Sequence, residues 1–468
     1  MVKQGEIQYL LTSTNRWWRN PRGWTADDPD VLEAAEAPFD YRPKVLGALT
    51  PGGLYLLRGP RRVGKSVAVK RAIEGLIDNG TEPRRILHVS VDGWRAGNLG
   101  LLVDAAKQLL PADGARYWFI DEITSITDGW PERIKWLRDN DARFRRDTVV
   151  LTGSSATNLT ASVKALADRR GQASDPDRVL LPMGFRTFTG LVIEDPVPDD
   201  IGRLRLRDLT PKRLRVETTR LAPWLDQLVS AWEAYLQVGG FPRAVASYLT
   251  ERAPDLALQR GLLDVIHGDA FADAHWARPQ TMALLTRLAE GLGSPANRAA
   301  IAGDIGTSSS TVGRRLDDLR EAFVVWPAYR EEHLRPKLRA QEKLYFTDPI
   351  YTQLVPHGPL DLTRLSEQQL GVALLRGLEL EEPGSYVDFS RILHHRTPAR
   401  KEIDFVGPDL GGVAIESKYV DGRWRGQAQT LRASPWRGIV ATRTELDVTD
   451  PEVVAVPTAL LAWLVDTG

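Results

Sequence analysis

Apolar and polar positions follow a strand-like pattern in the first part of the chain. Short apolar runs at 54–58, 86–91, 116–121 and 147–152, and then "RVLLPMGF" near 178–185, predict strands. Helix-compatible segments separate these runs, and the runs are apolar throughout, as in strands that are buried on both faces. We therefore expect an α/β domain with a parallel sheet that helices cover on both sides.

Helical periodicity replaces this pattern over residues 205–275. The stretch "WLDQLVSAWEAYLQVGG" keeps Leu225, Leu228, Trp232 and Leu236 close to one helical face and ends in a glycine pair that can cap a helix. We expect this region to form a helical lid.

Residues 278–346 have the pattern of a winged helix. "TMALLTRLAEGL", "ANRAAIAGDIG" and "SSSTVGRRLDDLREAFVV" predict three helices, with Gly306 ending the second and Ser308 capping the third. The strand-like runs "FVVWPAYR" and "EKLYFT" follow and flank a basic stretch, "EEHLRPKLRAQ". The predicted buried stripe of the third helix consists of Val312, Leu316 and Leu319.

The opposite side of that helix and the wing carry side chains suited to phosphates and base edges. These candidate DNA-binding residues are Ser309, Ser310, Thr311, Arg314, Arg315, Arg335, Lys337 and Arg339. Neighbouring acidic residues such as Asp317 and Glu332 dilute the positive charge, and a subunit contact is the alternative use of this surface.

The stretch "RKEIDFVGPDLGGVAIESKYV" predicts a hairpin that carries candidate metal-binding and catalytic residues. Two alternating runs, Glu402 to Val406 and Val413 to Val420, flank a Gly-Pro-Asp turn. Glu416 and Lys418 share one face because side chains repeat every two residues along a strand. Together with Asp404, Glu416 could hold a divalent ion while Lys418 positions or activates a water.

A phosphate-binding loop is predicted directly after the first apolar run. "RGPRRVGKSV" has the spacing GxxxxGK followed by Ser, between a strand and a helix. Gly59 and Gly64 let the backbone curl so that its N–H groups point inward, and with the helix N-terminus they form a cradle for polyphosphate. Lys65 would supply charge and Ser66 a magnesium ligand, whereas a plain glycine-rich turn is the less favoured alternative. The predicted nucleotide-binding residues are Gly59, Pro60, Arg61, Arg62, Val63, Gly64, Lys65, Ser66 and Val67.

A second acidic element should accompany such a loop, since magnesium needs a carboxylate nearby and the attacking water needs a base. "ARYWFIDEIT" supplies Asp121 and Glu122 at the carboxyl end of an apolar strand. We assign Asp121 to the magnesium ion and Glu122 to the water. After the next strand, "DTVVLTGSSA", Ser154 is the first choice for sensing the γ-phosphate and Thr152 the second.

The N-terminal "NRWWRNPRGW" interleaves three tryptophans with arginines. These groups could stack on unpaired bases or on an adenine ring. Tryptophans are more often buried, so we favour a strap that packs against the sheet.

Composition narrows the classes of protein further. Lysine plus arginine (61) balances aspartate plus glutamate (61), so a nucleic acid would have to meet a local basic patch. The absence of cysteine excludes disulfides, iron–sulfur centres and thiolate zinc. No apolar segment is long enough to span a bilayer and the N-terminus lacks the pattern of a signal peptide, so we expect no membrane contact and a cytoplasmic location.

These motifs together resemble a known family. "GPRRVGKS", "FIDEI" with Trp130, "VVLTGSS", "GGFPRAV" and the leader "NRWWR" and "DPDVLEAAEAPFDYRP" are similar to those of the bacterial and archaeal AAA-type P-loop ATPases with a central winged helix and a C-terminal restriction-endonuclease-like domain. The resemblance implies an α/β fold of five parts: an aromatic and basic leader, a P-loop AAA-type parallel-sheet core, a helical lid, a winged helix and a restriction-endonuclease-like α/β domain. The corresponding ranges are 1–40, 41–195, 196–277, 278–346 and 347–468.

The resemblance also implies ATP and Mg²⁺ as cofactors and a homo-oligomeric ring, with a hexamer among the sizes allowed. In such rings a neighbour's arginine completes the site; Arg170 is preferred here over Arg169. Arg243 is similar to a lid arginine that touches the γ-phosphate, with a surface role as the open alternative. Glu367 matches an acid that would join Asp404 and Glu416 as a metal ligand in a nuclease-like set with Lys418.

Three hypotheses follow for the chain. The first is an ATPase that acts on duplex or branched DNA by binding or remodelling it. The second is an ATP-regulated, metal-dependent DNA nuclease in a defence role. The third is a slow nucleotide switch that organises protein partners.

Overall fold

The chain forms two compact units, Met1–Leu181 and Pro182–Gly468. The structure is a computed structural model that describes residues 3–126, 128–153, 165–271, 276–355, 358–397, 399–420, 422 and 424–466. The division into five domains remains a prediction.

The first unit is an α/β layer structure. Its helices are α1 (Gln4–Thr14), α2 (Pro29–Ala35), α3 (Lys65–Asp78), α4 (Asn98–Leu109) and α5 (Trp130–Asn140). Its strands are β1 (Leu54–Arg58), β2 (Ile86–Ser90), β3 (Tyr117–Asp121), β4 (Thr148–Thr152) and β5 (Asp177–Val179). All five strands lie where the apolar runs predict them, although β5 is shorter than its run.

The five strands form one parallel sheet in the order β2-β3-β4-β1-β5. Every residue of β1 and of β4 is buried, as expected for strands covered on both faces. Strand β4 pairs with both β1 and β3, so the loop after β1 and the acidic end of β3 lie on the same edge of the sheet, one strand apart. The predicted parallel α/β sheet is therefore confirmed.

The N-terminal leader is a strap along edge strand β2. Asn15 donates to the carbonyl of His88 (3.0 Å) and accepts from its N–H (2.6 Å). The indole N–H groups of Trp17 and Trp18 both donate to the carbonyl of Ile86, at 3.0 and 2.8 Å. Side chains thus satisfy backbone groups that an exposed edge would leave open to another strand.

Burial of the leader agrees with that role. Trp17 and Trp24 are fully or almost fully buried and contact each other edge to face, with ring centroids 5.1 Å apart. Neither ring is available for stacking on a base, so the strap is the interpretation that the structure supports.

The second unit is mainly helical at first and then mixed. Its helices are α6 (Phe185–Val192), α7 (Pro211–Leu221), α8 (Leu225–Val238), α9 (Pro242–Glu251), α10 (Leu256–Val265), α11 (Arg278–Glu290), α12 (Arg298–Ile305), α13 (Ser309–Glu321), α14 (Leu362–Glu381), α15 (Trp424–Gln427), α16 (Gln429–Arg432) and α17 (Thr458–Val465). Its strands are β6 (Val325–Ala328), β7 (Glu331–Glu332), β8 (Arg335–Pro336), β9 (Lys343–Phe346), β10 (Leu393–Arg396), β11 (Glu402–Val406), β12 (Val413–Lys418), β13 (Arg437–Thr442) and β14 (Val453–Pro457).

Local signals for the helices are confirmed. Helix α8 ends at Gly239, whose φ of 77° suits a glycine after a helix. Gly306, with φ 67°, ends α12, and the Ser308 hydroxyl caps α13 by accepting from the Thr311 N–H. Strands β6 and β9 then pair antiparallel, and β7 and β8 form a second small ladder. The winged-helix assignment of this region remains a prediction.

The C-terminal part of this unit contains a mixed sheet in the order β10-β11-β12-β13-β14. The predicted hairpin is confirmed, since β11 and β12 pair antiparallel. Strands β12, β13 and β14 are parallel, and α14 and α17 supply buried apolar side chains in this unit. The restriction-endonuclease-like assignment remains a prediction.

No helix within the described residues combines the length and the apolar character needed to cross a membrane.

Candidate functional site

Two glycines shape the loop between β1 and α3. Gly59 has φ 151°, and a Cβ placed on it would lie 2.2 Å from the carbonyl oxygen of Leu180. Gly64 has φ 97° and precedes the first residue of α3. Both positions require glycine, because a side chain would clash at the first and strain the backbone at the second. The chain therefore wraps tightly around the N-terminus of α3, where N–H groups can bind an anion.

The amine of Lys65 lies inside this loop. It donates to the carbonyls of Gly59 (3.0 Å) and Pro60 (2.9 Å). Burial lowers the pKa of Lys65 to about 8, against the opposing charges of Glu122 and Asp121. The amine is thus held by neutral partners that phosphate oxygens could replace.

Asp121 is the centre of a polar network at the end of β3. Its Oδ2 accepts a hydrogen bond from the Ser66 hydroxyl (3.0 Å), and its Oδ1 accepts from the Glu122 N–H (3.1 Å) and from the Thr152 hydroxyl. Burial alone would raise the pKa of Asp121, but its interactions with His88, Thr152 and Ser66 hold it well below its usual value. The carboxylate is therefore ionised at neutral pH.

The Ser66 hydroxyl and the Asp121 carboxylate are hard oxygen donors that lie side by side. Magnesium binds such donors together with phosphate oxygens and water. The donor set therefore fits a magnesium ion that is shared with a bound nucleotide.

Glu122 follows directly with a left-handed backbone, at φ 56°. This conformation is uncommon for a residue other than glycine, and such strain often marks functional positions. Its N–H is fixed by Asp121 and also lies 3.3 Å from the Thr152 hydroxyl, so the turn that carries Glu122 is tied to β4.

His88 is a residue of this site that sequence reasoning missed. It lies on β2, is 8% exposed, and its Nε2 is 3.9 Å from Asp121 Oδ2. Neither ring nitrogen has a hydrogen-bond partner within the described parts of the chain. The signal was present as the single ionisable residue inside the apolar run "ILHVS".

Of the two predicted γ-phosphate sensors, only Thr152 lies within the described residues. Thr152 is buried and bonded to Asp121, which links β4 to the site. Ser154, the first choice, lies outside the described residues.

The preference for Arg170 as the arginine given to a neighbouring subunit stays a prediction, and the surroundings of this residue do not favour it. Its side chain is buried, and Nη2 donates to Asp177 Oδ1 at 2.7 Å within its own unit. Arg169 is more exposed and pairs with Asp139 at 2.8 Å. The sequence "DRR" gives no sign of which arginine turns inward, because that depends on the position of Asp177.

Arg243 lies in the second unit, in the first turn of α9. Its side chain is 52% exposed and pairs with Asp255 at 2.6 Å. Its contact with a nucleotide remains a prediction.

The structure brings Glu367, Asp404, Glu416 and Lys418 into one acidic region of the second unit, but not as a metal site. Lys343 on β9, which sequence reasoning missed, donates to Asp404 Oδ1 (2.8 Å) and Glu367 Oε1 (3.1 Å). Lys418 pairs with Glu416 at 2.9 Å. Among the residues described, no group of three or more acidic or histidine side chains is arranged to hold a metal ion. The predicted three-carboxylate metal set is therefore corrected: a lysine amine contacts one oxygen of each carboxylate.

The pKa values of the charged groups in this region are shifted by burial and by the neighbouring charges. Burial, and then the charge of Asp404, raises the pKa of Glu416 to about 6. Burial would lower the pKa of Lys343, yet its acidic neighbours, among them Asp404 and Glu367, hold it well above its usual value.

The candidate DNA-binding residues divide into exposed and buried ones. Ser309, Ser310, Arg314, Arg335 and Arg339 are exposed, Thr311 is half-buried, and Lys337 is half-buried and pairs with Glu332 at 2.6 Å.

The assignment of Arg315 to the exposed face of α13 is wrong. It is 7% exposed and bonds to Asp318 at 3.0 Å. Its guanidinium lies over the rings of Trp276 (5.0 Å) and Phe271 (5.4 Å). The helical pattern places Arg315 at the margin of the apolar stripe, and the two aromatic rings from a preceding segment cover that margin.

Two stretches of the chain match family models. Residues 52–189 match the AAA domain family. Over this stretch the chain is similar to AAA domains. The match includes the loop at Gly59, Asp121 and all five strands of the parallel sheet. Residues 229–352 match a domain of unknown function, DUF8612. No curated protein matches the chain.

Solved structures of low overall similarity accompany this domain match. A Walker-type ATPase of Pyrococcus abyssi is 14% identical, with a TM-score of 0.37 over 71% of this chain and 95% of that one. The Aeropyrum pernix ORC1 protein in complex with DNA is 13% identical, with a TM-score of 0.29 over 75% and 96%. A RuvB protein of Thermotoga maritima is 16% identical, with a TM-score of 0.26 over 69% and 89%. At these scores the likenesses add nothing to the assignment of the AAA domain.

Proposed function

We propose that the chain is a Mg²⁺-dependent ATPase of the AAA type that acts on DNA. The observation that carries the proposal is the hydrogen bond between the Ser66 hydroxyl and Asp121 Oδ2, at 3.0 Å, beside the buried amine of Lys65. A loop that binds phosphates, a hydroxyl and a carboxylate for magnesium, and an adjacent acid for water are the parts that hydrolysis of a nucleoside triphosphate needs.

Each residue has a distinct task in this proposal. The loop N–H groups around Gly59 and Gly64 bind the phosphates, and Lys65 leaves its carbonyl partners to neutralise charge on the β and γ groups. Ser66 and Asp121 hold the magnesium ion, which when bound would draw charge away from the phosphate oxygens. Glu122 orients a water and accepts its proton as that water attacks the γ-phosphorus, while the bond from this phosphorus to the β–γ bridging oxygen breaks and the nucleoside diphosphate leaves.

Steady-state ATP turnover with Mg²⁺ tests the hydrolytic part. Glu122→Gln keeps the size of the side chain and removes its basicity, so we expect a loss of at least 100-fold in turnover with ATP binding retained, on the scale of general base catalysis. Glu33→Gln, on the exposed side of α2, is the matched control and should leave turnover unchanged. Equal turnover in both variants would refute the role of Glu122.

Action on DNA is supported by exposed hydroxyl and guanidinium groups on α13 and in the segment 335–339. The exposed members of this set are Ser309, Ser310, Arg314, Arg335 and Arg339. The test compares turnover with single-stranded, duplex and branched DNA, and binding of the same DNAs at several salt concentrations. ATP hydrolysis without stimulation or binding by any DNA would refute this part alone, and would leave the slow nucleotide switch.

A homo-oligomeric ring completes the proposal. With Arg170 buried, Arg169 is the arginine from the pair that we assign to a neighbour's site. Light scattering of the Glu122→Gln variant with and without ATP tests assembly, and Arg169→Ala should then reduce turnover in the wild-type background without reducing ATP binding. A monomer under both conditions would contradict the ring.

A further inference from the structure

One buried amine lies at the centre of the acidic region of the second unit. The Lys343 amine is 2.8 Å from Asp404 Oδ1, 3.1 Å from Glu367 Oε1 and 3.6 Å from Glu402 Oε2. Its side chain is 1% exposed. Three carboxylates from two different elements, α14 and β11, thus surround one cation supplied by β9.

Two oxygens of this cluster have further hydrogen-bond donors. Asp404 Oδ2 accepts from the Ser417 N–H at 2.8 Å, and Glu367 Oε1 accepts a second hydrogen bond, from the Tyr345 hydroxyl, at 2.5 Å. Both oxygens of Asp404 and the inner oxygen of Glu367 therefore have donors already. A divalent ion would need these same oxygens at 2.0–2.6 Å, typical of magnesium and calcium.

Charge repulsion opposes binding of a metal ion to carboxylates that already surround the Lys343 ammonium group. A metal ion bound to Asp404 and Glu367 would lie within a few ångströms of a buried ammonium group, and two like charges repel strongly in a medium of low dielectric constant. The amine cannot simply withdraw, since removing it from its carboxylates would leave a buried charge without a partner.

Lys418 does not relieve the repulsion between Lys343 and a metal ion. It lies 2.9 Å from Glu416 Oε1, with about a third of its side chain exposed, and so forms a separate pair at the edge of the cluster. The two lysines together supply cations to the residues that the sequence pattern assigns to a metal.

We propose that the Lys343 amine takes the place of a divalent cation in this cluster, so that the C-terminal region does not cleave nucleic acid and instead uses the ion cluster to fix β9 to α14 and β11. The inference is independent of the ATPase proposal, because it concerns a separate set of residues.

Manganese binding to the full-length protein tests the proposal. Free Mn²⁺ is measured by electron paramagnetic resonance without nucleotide, for the wild type, Asp404→Asn, Lys343→Met and the double variant Lys343→Met/Asp404→Asn. We expect no Mn²⁺ site in the wild type that Asp404→Asn removes. Lys343→Met should gain one such site, and the double variant should lose it again. Lys212→Met, at an exposed position of α7, is the control for a lysine-to-methionine change.

Thermal unfolding supplies a second readout. Lys343→Met should unfold roughly 10 °C below the wild type, since its carboxylates lose their buried partner. Millimolar Mn²⁺ should raise the midpoint of Lys343→Met but not that of the double variant. Lys212→Met should behave as the wild type in both conditions.

Three results would overturn the proposal. The first is Mn²⁺ binding by the wild type that Asp404→Asn abolishes. The second is cleavage of plasmid or branched DNA that depends on Asp404. The third is a folded Lys343→Met protein that gains no Mn²⁺ site. If Lys343→Met does not fold, the comparison of the wild type with Asp404→Asn still decides the matter.

Discussion

The leader is tied to the helix of the phosphate-binding loop by a buried ion pair, and breaking that pair should destabilise the first unit. Lys70 Nζ on α3 lies 2.7 Å from Asp28 Oδ2, and the side chains are 6% and 2% exposed. Asp28 also caps α2 through its other oxygen, Oδ1, which accepts from the Asp30 N–H. Asp28→Asn keeps the volume and an acceptor for the cap, so it removes little besides the charge.

The magnitude follows from what remains around Lys70. Removing one member of a buried pair typically costs about 3–5 kcal/mol, because the other charge stays buried. Asp30 lies 3.9 Å from the amine and is partly exposed, so it retains some attraction for Lys70 and places the cost at about 3 kcal/mol. For a unit of this size that is a fall of about 10 °C in the unfolding midpoint.

Calorimetry of the full chain checks this with a double-mutant cycle. Lys70→Met in addition to Asp28→Asn removes both charges, and we expect the double variant to recover to within about 1 kcal/mol of the wild type. Asp27→Asn changes the adjacent, exposed carboxylate and should have almost no effect. An unfolding midpoint of Asp28→Asn no lower than that of Asp27→Asn would refute a stabilising ion pair. A double variant that shows the sum of the losses of Asp28→Asn and Lys70→Met would refute it as well.

Three further predictions concern other charged groups. The His88 ring lies 3.9 Å from Asp121 Oδ2 and helps to keep the pKa of that carboxyl low, so His88→Leu should raise about tenfold the Mg²⁺ concentration needed for half-maximal binding of a fluorescent nucleotide. His88→Gln should recover part of the loss, and an unchanged Mg²⁺ requirement would contradict this role of His88. Arg314→Ala should lower by about one the slope of the logarithm of the DNA-binding constant against the logarithm of the salt concentration. Arg315→Ala should lower the unfolding midpoint and leave that slope unchanged. The reverse pattern would place Arg315 on the DNA-binding face. Burial raises the pKa of Asp348 to about 7, so the folded protein keeps a proton that the unfolded chain releases near pH 4. The folded state therefore loses stability as the pH rises from 4 to 7. The thermal unfolding midpoint of Asp348→Asn minus that of the wild type should increase over this range, and a constant difference would refute the role of Asp348.

Much of the fold could be predicted because its signals are local. The apolar runs predict all five strands of the parallel sheet, and Gly239, Gly306 and Ser308 mark helix ends through their own backbone and side-chain chemistry. The loop at Gly59 to Ser66 is likewise local, since a strand, two glycines and a helix follow one another directly.

The contacts that decide the site are distant in sequence, and no spacing rule predicts them. Asn15 and His88 are 73 positions apart, and Lys343 and Asp404 are 61 apart. The burial of Arg170 depends on Asp177. In each case the residue type is visible in the sequence, but its partner is set by tertiary packing.

Two buried lysines show how the partners of a side chain decide whether it can bind a ligand or only stabilise the fold. Lys65 and Lys343 are 6% and 1% exposed, so burial disfavours the charge of both. Lys65 is held by main-chain carbonyls, which leave its pKa lowered to about 8, and the oxygens of a polyphosphate would be better partners than those carbonyls. Lys343 is held by carboxylates that keep its pKa well above the usual value, and no incoming ligand improves on them. The same side chain can therefore give up its partners for a nucleotide in the first unit, whereas in the second it holds three elements together.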